Sequence, residues 1–242
     1  MNRLLITAVG AASLVAVVGL GVGLALAASG PSVAGATSGP GYGPMMGGAV
    51  PPGWMTGGTL PGSMMGGGAD PGKVMGAVLA SAPGPRVGPE LAAHLGQRVP
   101  VGATVDRTQR RITFHGSTVV LAAVASGPGT PMYSFEIAGM VNPTIVVPTG
   151  AHISVEVVNR DSDMAHGLVV TADGAASSWM PMMTAEPAFS GAAVWVLGDP
   201  TSAGLHAATL RFTAGTSGTY QYLCPIPGHA ARGMVGTFTV PG

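Results

Sequence analysis

Between residues 152 and 157 the chain alternates strictly, with Ile153, Val155 and Val157 on one side and His152, Ser154 and Glu156 on the other. A period of two marks a strand with one dry face and one wet face. From about residue 102 to the C-terminus, short apolar runs are separated by Gly, Pro, Asn and Ser turn signals. They predict strands at 111–115, 118–125, 133–137, 144–147, 152–159, 167–171, 193–197, 208–213, 219–224 and 235–240. So many short strands with turns at close intervals read as an all-β sandwich. The 172–192 segment is a long loop carrying Trp179, Met180, Met182 and Met183. Loops of that length usually serve a function or pack over something.

Upstream the period changes. Residues 73–98 have helical spacing, with Val74, Val78 and Leu79 as one apolar face and Leu91 and Leu95 as another. Pro83-Gly84-Pro85 breaks the segment in two. A short helical extension at 73–98 is therefore expected to precede the sandwich at about 102–242, the two forming one domain over 73–242.

Residues 29–72 have no period at all. Gly, Pro, Ser and Met dominate, as in Met-Met-Gly-Gly at 45–48 and Met-Met-Gly-Gly-Gly at 64–68. Such a segment cannot offset its own ordering entropy and reads as a flexible linker. Met1, Asn2 and Arg3 precede an apolar run from Leu4 to Ala28. Residues 1–28 are an export signal, with Ala25-Leu26-Ala27 as its cleavage site, or an N-terminal membrane anchor through residues 4–28. Either reading puts the rest of the chain outside the cytoplasm, in the periplasm, on the outer face of the membrane or secreted. No cysteine follows the run, which excludes a bacterial lipid anchor.

Composition narrows the function. Ten basic and ten acidic side chains, 8% of the 242 residues, leave neither a basic footprint for nucleic acid nor an acidic tail. The single cysteine rules out an intramolecular disulfide. A lone cysteine is ordinarily a small buried hydrophobe. Here its neighbours argue otherwise: Cys224 precedes His229 by five residues, and His229 precedes Met234 by five. A thiolate, an imidazole and a thioether on one loop make a soft ligand set that suits copper, and a second imidazole would complete a His₂Cys site with a weak axial Met. Among the other histidines, His166 is the strongest candidate. It follows a strand and a short polar connection and opens the next strand, and His206 ranks after it. His94 reads as an ordinary helix-surface histidine, His152 should face solvent, and His115, like His206, lies at a strand edge with no partner motif. Structural zinc prefers more thiolate or imidazole, catalytic zinc would not take a thioether, and iron–sulfur clusters need several cysteines.

These residues carry a resemblance. The stretch 218–236, Gly-Thr-Tyr-Gln-Tyr-Leu-Cys-Pro-Ile-Pro-Gly-His-Ala-Ala-Arg-Gly-Met-Val-Gly, is similar to the signature of the rusticyanin family of type 1 blue copper proteins, and more distantly to the sulfocyanins. Asn-Pro-Thr-Ile-Val-Val-Pro-Thr-Gly-Ala at 142–151, Glu-Val-Val-Asn at 156–159 and Trp-Met-Pro-Met-Met at 179–183 extend the likeness over roughly 73–242. The resemblance implies a cupredoxin-type Greek-key β-sandwich and one copper ion held by His166, Cys224, His229 and Met234. It implies a single-electron carrier rather than an enzyme, a monomer, and redox partners such as a cytochrome c or a terminal oxidase. It also implies that the His229 edge is the electron port, surfacing within a patch of Pro225, Ile226, Pro227, Ala230 and Ala231. Met180, Phe212, Tyr220 and Tyr222 are expected to form the apolar shell of the metal.

Two positions depart from the family pattern: Gly167 stands where the family has Ser, and Asp161 where it has Asn. A copper oxidase or nitrite reductase would need a second copper site, and six histidines in total leave no cluster for one. The remaining alternative is a copper-trafficking protein in which Met45, Met46, Met55, Met64 and Met65 catch Cu(I).

Overall fold

The computed structural model describes residues 70–127, 129–172 and 174–242. The expected leader and nearly all of the expected linker lie outside these residues. In chain order the elements are α1 (Pro71–Leu79), β1 (Arg86–Val87), α2 (Pro89–Gln97), β2 (Ala103–Asp106), β3 (Arg111–Phe114), β4 (Thr118–Ala125), β5 (Phe135–Ile137), β6 (Met140–Val141), β7 (Thr144–Val146), β8 (His152–Asn159), β9 (His166–Ala172), α3 (Pro181–Thr184), β10 (Ala193–Leu197), β11 (Leu205–Thr213), β12 (Gly218–Leu223) and β13 (Val235–Val240). Among the described residues no helix is long and apolar enough to cross a membrane.

The strands form two mixed sheets packed face to face. One has the order β1-β11-β8-β4-β5-β6 and the other β10-β9-β12-β13-β7-β3-β2. The fold is the expected cupredoxin sandwich. The alternation in β8 does what its period requires: Ile153, Val155 and Val157 are buried between the sheets, and His152 is exposed. They meet Leu121, Leu210, Val170 and Phe238 in the main core.

All ten predicted strands are present, with ends shifted by up to three residues. The pattern missed β1, β2 and β6, which are two to four residues long and too short to show a period. The helical stretch is two helices, separated at Pro83-Gly84-Pro85 as expected. Their inward faces differ from the expected ones. Met75, Leu79, Gly72 and Gly76 face inward on α1, while Val78 is 49% exposed. On α2, Ala92, Leu95 and Gly96 are buried and Leu91 is 54% exposed. Glycines mark these contacts because each helix backbone lies directly against the sandwich. A Cβ on Gly76 would overlap the Asp199 carboxylate, and one on Gly96 would lie 2.7 Å from Glu136 Oε2.

α2 covers the outer face of the first sheet. Ala92 and Leu95 pack on Ala122, Val124, Val158, Leu205 and Ala207. This explains why β4 becomes apolar on both faces after Leu121: its second half is covered on both sides. Gln97 at the end of α2 donates a hydrogen bond to the buried Glu136 of β5, so the helix is held by a polar contact as well as by area.

Candidate metal centre

Four strands lead into one end of the sandwich. β8 ends at Asn159, β9 begins at His166, β12 ends one residue before Cys224, and β13 begins one residue after Met234. Asn159 is fully buried and organises this end. Its amide donates to the carbonyls of Met164 (2.8 Å), Gly198 (2.9 Å) and Leu197 (3.2 Å), and its Oδ1 accepts from the Asp161 N–H. These bonds fix the connection from which His166 emerges.

The 224–234 loop closes on itself. The Cys224 N–H donates to the Met234 carbonyl at 3.0 Å, and the Met234 N–H donates to the His229 carbonyl at 3.1 Å. Residues 230–232 make one 3₁₀ turn, which ends at Gly233 with φ +106°, a conformation that favours glycine. Gly228, at φ +80°, also lets the Trp179 ring lie against the loop, where a Cβ would sit 2.6 Å from that ring. The loop is pinned to the 172–192 segment by two backbone bonds, Gly228 N–H to Trp179 O and Met182 N–H to Pro225 O.

His166, Cys224 and His229 converge. The two Nδ1 atoms are 3.2 Å apart, and Cys224 Sγ lies 3.8 Å from His166 Nδ1 and 3.5 Å from His229 Nδ1. All three residues are completely buried, as is Met234 at the end of the same loop. Two imidazoles that turn the same ring nitrogen toward one another and toward a thiol make poor hydrogen-bond partners. They make a good trigonal ligand set for a soft metal. Burial pushes the Cys224 thiol up to about 12, despite the N–H groups of Gly167 and Ile226 on its sulfur. A bound cation reverses that preference and holds the thiolate. Burial, with the neighbouring His166, takes His229 down to about 3, so it stands ready as a neutral ligand.

The far nitrogens differ. His166 Nε2 lies 3.1 Å from Asp161 Oδ2 and 3.2 Å from Ser126 Oγ. Burial works against the Asp161 charge, but the His166 hydrogen bond and the Asp163 N–H outweigh it and hold the carboxyl below its usual value. A carboxylate on the outer nitrogen orients an imidazole ligand and raises its basicity. His229 Nε2 is buried without a hydrogen-bond partner, 4.0 Å from Asp70 Oδ1.

Gly167 also has a physical reason. A Cβ there would lie 2.3 Å from the Trp195 carbonyl oxygen and 2.5 Å from that of Val194. The register of β10 against β9 shifts between Val194 and Leu197, and this irregularity presses the backbone onto Gly167. A serine does not fit without moving β10.

Several expectations are corrected. The His229 edge is not a surface feature. It is 0% exposed, and Pro225, Ile226, Pro227 and Ala230 are buried with it, leaving only Ala231 of that patch exposed. α1 is the cover, since a Cβ on Gly72 would lie 2.7 Å from His229 Nε2. Phe212 and Tyr220 do not line the site. They join Phe189 and Phe238 in an aromatic cluster, with Phe212 paired to Ile153 near the start of β8, at the other end of the sandwich. Tyr222 packs tilted against Phe135, with ring centroids 5.8 Å apart and planes at 56°, and donates its hydroxyl to the Pro143 carbonyl.

The other histidines have separate roles. His94 is exposed on α2, His115 bonds Thr104, and His152 bonds Thr213. His206 is buried and donates to the Ala80 carbonyl at 2.9 Å, which ties β11 to the end of α1. The residues that sequence reasoning missed are Asp70, Gly72, Ser126, Tyr133 and Arg232. Arg232 lies in the ligand loop itself but carries no ligand chemistry, and the other four share no motif with that loop.

Residues 108–241 match the family profile of the sulfocyanin (SoxE) domain. Rusticyanin of Acidithiobacillus ferrooxidans (strain ATCC 23270) is 36% identical over 129 residues, 53% of this chain and 66% of that protein. A second A. ferrooxidans rusticyanin is 36% identical with 80% of its length covered. The match thus spans just under two thirds of the first of these relatives. Among solved structures, the 1.27 Å rusticyanin from Thiobacillus ferrooxidans superposes with a TM-score of 0.56 at 30% identity, covering 64% of this chain and 96% of that one. Reduced rusticyanin at 1.9 Å gives 0.54 at 32% identity, covering 63% and 95%. The convergent His166, Cys224 and His229, the sandwich that carries them and these matches lead to one conclusion: the chain belongs to the sulfocyanin (SoxE) family and is a rusticyanin-like blue copper cupredoxin.

Proposed function

We propose that the protein carries single electrons between redox partners outside the cytoplasm, with one copper ion held by His166, Cys224, His229 and Met234. The observation that carries this reading is the meeting of two buried Nδ1 atoms and one thiol sulfur, all within 4.8 Å of one another. Copper supplies the one-electron couple, and the chain supplies everything that makes the couple fast and selective.

Cys224 and the two imidazoles are set by four strand ends and a self-bonded loop, so little has to move when the charge at the site changes. Met234 offers a weak thioether in a fully buried position, which favours the softer, reduced state of the metal. The Asp161 carboxylate on His166 acts in the opposite direction by making that imidazole more electron-rich. Water is excluded by the full burial of the ligand residues, with Ile226 on the Cys224 sulfur and α1 over His229. No proton is transferred and no substrate bond is broken, so the protein is a carrier and not an enzyme.

The partners are other redox proteins, such as a cytochrome c or a terminal oxidase. The rusticyanin relationship and the apolar leader together favour a periplasmic or membrane-anchored position. The decisive test adds Cu(II) to the copper-free protein and records the visible spectrum beside Cys224→Ala. An intense blue thiolate-to-copper band that is absent in the variant is the expected result. A colourless wild-type product overturns the reading.

A further inference from the structure

His229 is walled off from solvent. Its Nε2 edge faces α1, and α1 is fastened over it at several points. The Gly72 carbonyl accepts from Ala165 N–H at 2.8 Å, and the Gly76 carbonyl accepts from Asp199 N–H at 3.0 Å. Asp70 caps the helix through the Gly72 N–H and pairs with Arg232 at 3.0 Å. An electron leaving through that edge would have to cross the helix backbone.

One ring offers a shorter way out. Tyr133 meets His229 edge-on, with ring centroids 5.0 Å apart and planes at 64°. It is only half-buried, and its hydroxyl accepts a hydrogen bond from Arg232 Nη1 at 3.0 Å. The same guanidinium lies 5.0 Å from the Tyr133 ring and 5.5 Å from that of Trp179. Trp179 is 53% exposed and is bonded through its carbonyl to Gly228 of the ligand loop. Met132, beside Tyr133, is 54% exposed.

We propose that Tyr133 is the electron port. The electron passes between His229 and a docked partner through the Tyr133 ring, on a face framed by Arg232, Trp179 and Met132. This rests on the electron-carrier reading. One electron leaves the reduced copper site and reduces a one-electron acceptor, while Tyr133 serves only as the bridge and keeps its proton and its electrons. Tunnelling weakens steeply with distance, so a partly exposed ring in contact with the ligand outcompetes a buried edge. The surface chemistry agrees, because Tyr, Trp, Met and Arg are the residues enriched at the centres of protein interfaces.

The test is electron self-exchange in the copper-loaded full-length protein, measured by NMR line broadening in mixtures of its reduced and oxidised forms. The acceptor is then a second copy of the chain. Tyr133→Phe keeps the ring and the rate. Tyr133→Leu lowers the rate about tenfold, with the blue band and reduction potential unchanged. A surface-charge pair backs this up without touching the ring. Met132→Lys adds charge beside Arg232 on both copies and slows exchange about tenfold, whereas Val120→Lys, at a site equally exposed on β4, does not.

A further readout involves no electron transfer. In the reduced protein a neutral gadolinium chelate broadens the Tyr133 ring signals and spares those of His229. The proposal is overturned by wild-type exchange in Tyr133→Leu, by equal effects of the two lysine variants, or by broadening of His229 as strong as that of Tyr133. A wild-type protein without a blue band would instead remove the underlying carrier reading.

Discussion

The two ends of the sandwich are built on opposite principles. At the far end, Phe189, Phe212, Tyr220 and Phe238 fill the space between the sheets, with Phe189 and Phe212 stacked at 5.3 Å. That end is held by apolar area and ring packing. At the ligand end, the buried residues include Asn159, Asp161, His166 and His229, and hydrogen bonds do the positioning. Apolar packing is tolerant of direction, whereas a buried polar group must be aimed. Stability and metal chemistry are therefore separable along the long axis of the domain.

The largest expected effect separates them directly. Phe212→Ala should cost about 3–5 kcal/mol of unfolding free energy by leaving a cavity among the rings. Chemical denaturation will measure the loss, and the visible spectrum of the folded fraction should stay as in the wild type. A shifted blue band in this variant would show that the two ends are coupled.

Gly167→Ser should cost about 1–3 kcal/mol, because the new side chain meets the backbone of Val194 and Trp195. Since the Gly167 N–H also serves Cys224 Sγ, this variant should disturb both stability and the blue band. Thermal melts and absorption spectra of one preparation test both.

Asp161→Asn removes the carboxylate from His166 without changing its shape. Copper(II) affinity should fall about tenfold and the reduction potential should rise, as titration and voltammetry will read. A potential that falls would mean that Asp161 does not act through the imidazole.

The smallest effect concerns Asp199. Burial, with Asp163 and Asp161 nearby, raises its carboxyl from 3.8 to about 6, and its Oδ1 is buried without a partner. The folded state therefore prefers the protonated form more than the unfolded state does. This contribution is fully present below the unfolded value near 3.8 and is lost as the pH rises through about 6. Asp199→Asn should stabilise the protein by about 1 kcal/mol at pH 7, allowing for solvent screening of a partly exposed group, and by nothing at pH 4. Denaturation curves at the two pH values decide it.

Much of this was legible from residue order. The ligand loop is local: Cys224, His229 and Met234 lie within eleven residues, and a loop between paired strands holds them together whatever packs around it. His166 could be placed because a strand end and a strand start bracket it. The expected aromatic shell differs from the observed one for a definite reason. Alternation tells which face of a sheet a residue occupies and does not tell which end, so the place of Phe212 and Tyr220 among the far-end rings follows only from strand register. The buried faces of α1 and α2 differ from the expected ones because short helices with several glycines and alanines have no single apolar stripe. Their buried sides are chosen by where the backbone can come close.

By itself, then, the sequence determined the strands, the sandwich and a soft donor set on one loop, all consequences of short-range spacing. Only the tertiary structure decided that α1 covers His229, that Asp161 and Ser126 share the outer nitrogen of His166, that β10 leaves no room for a side chain at 167, and that Tyr133 and Arg232 meet. Asp70 and Arg232 are 162 positions apart and Tyr133 and Arg232 are 99 apart. Contacts over such separations are set by strand register and by what each helix covers, and no local pattern encodes either.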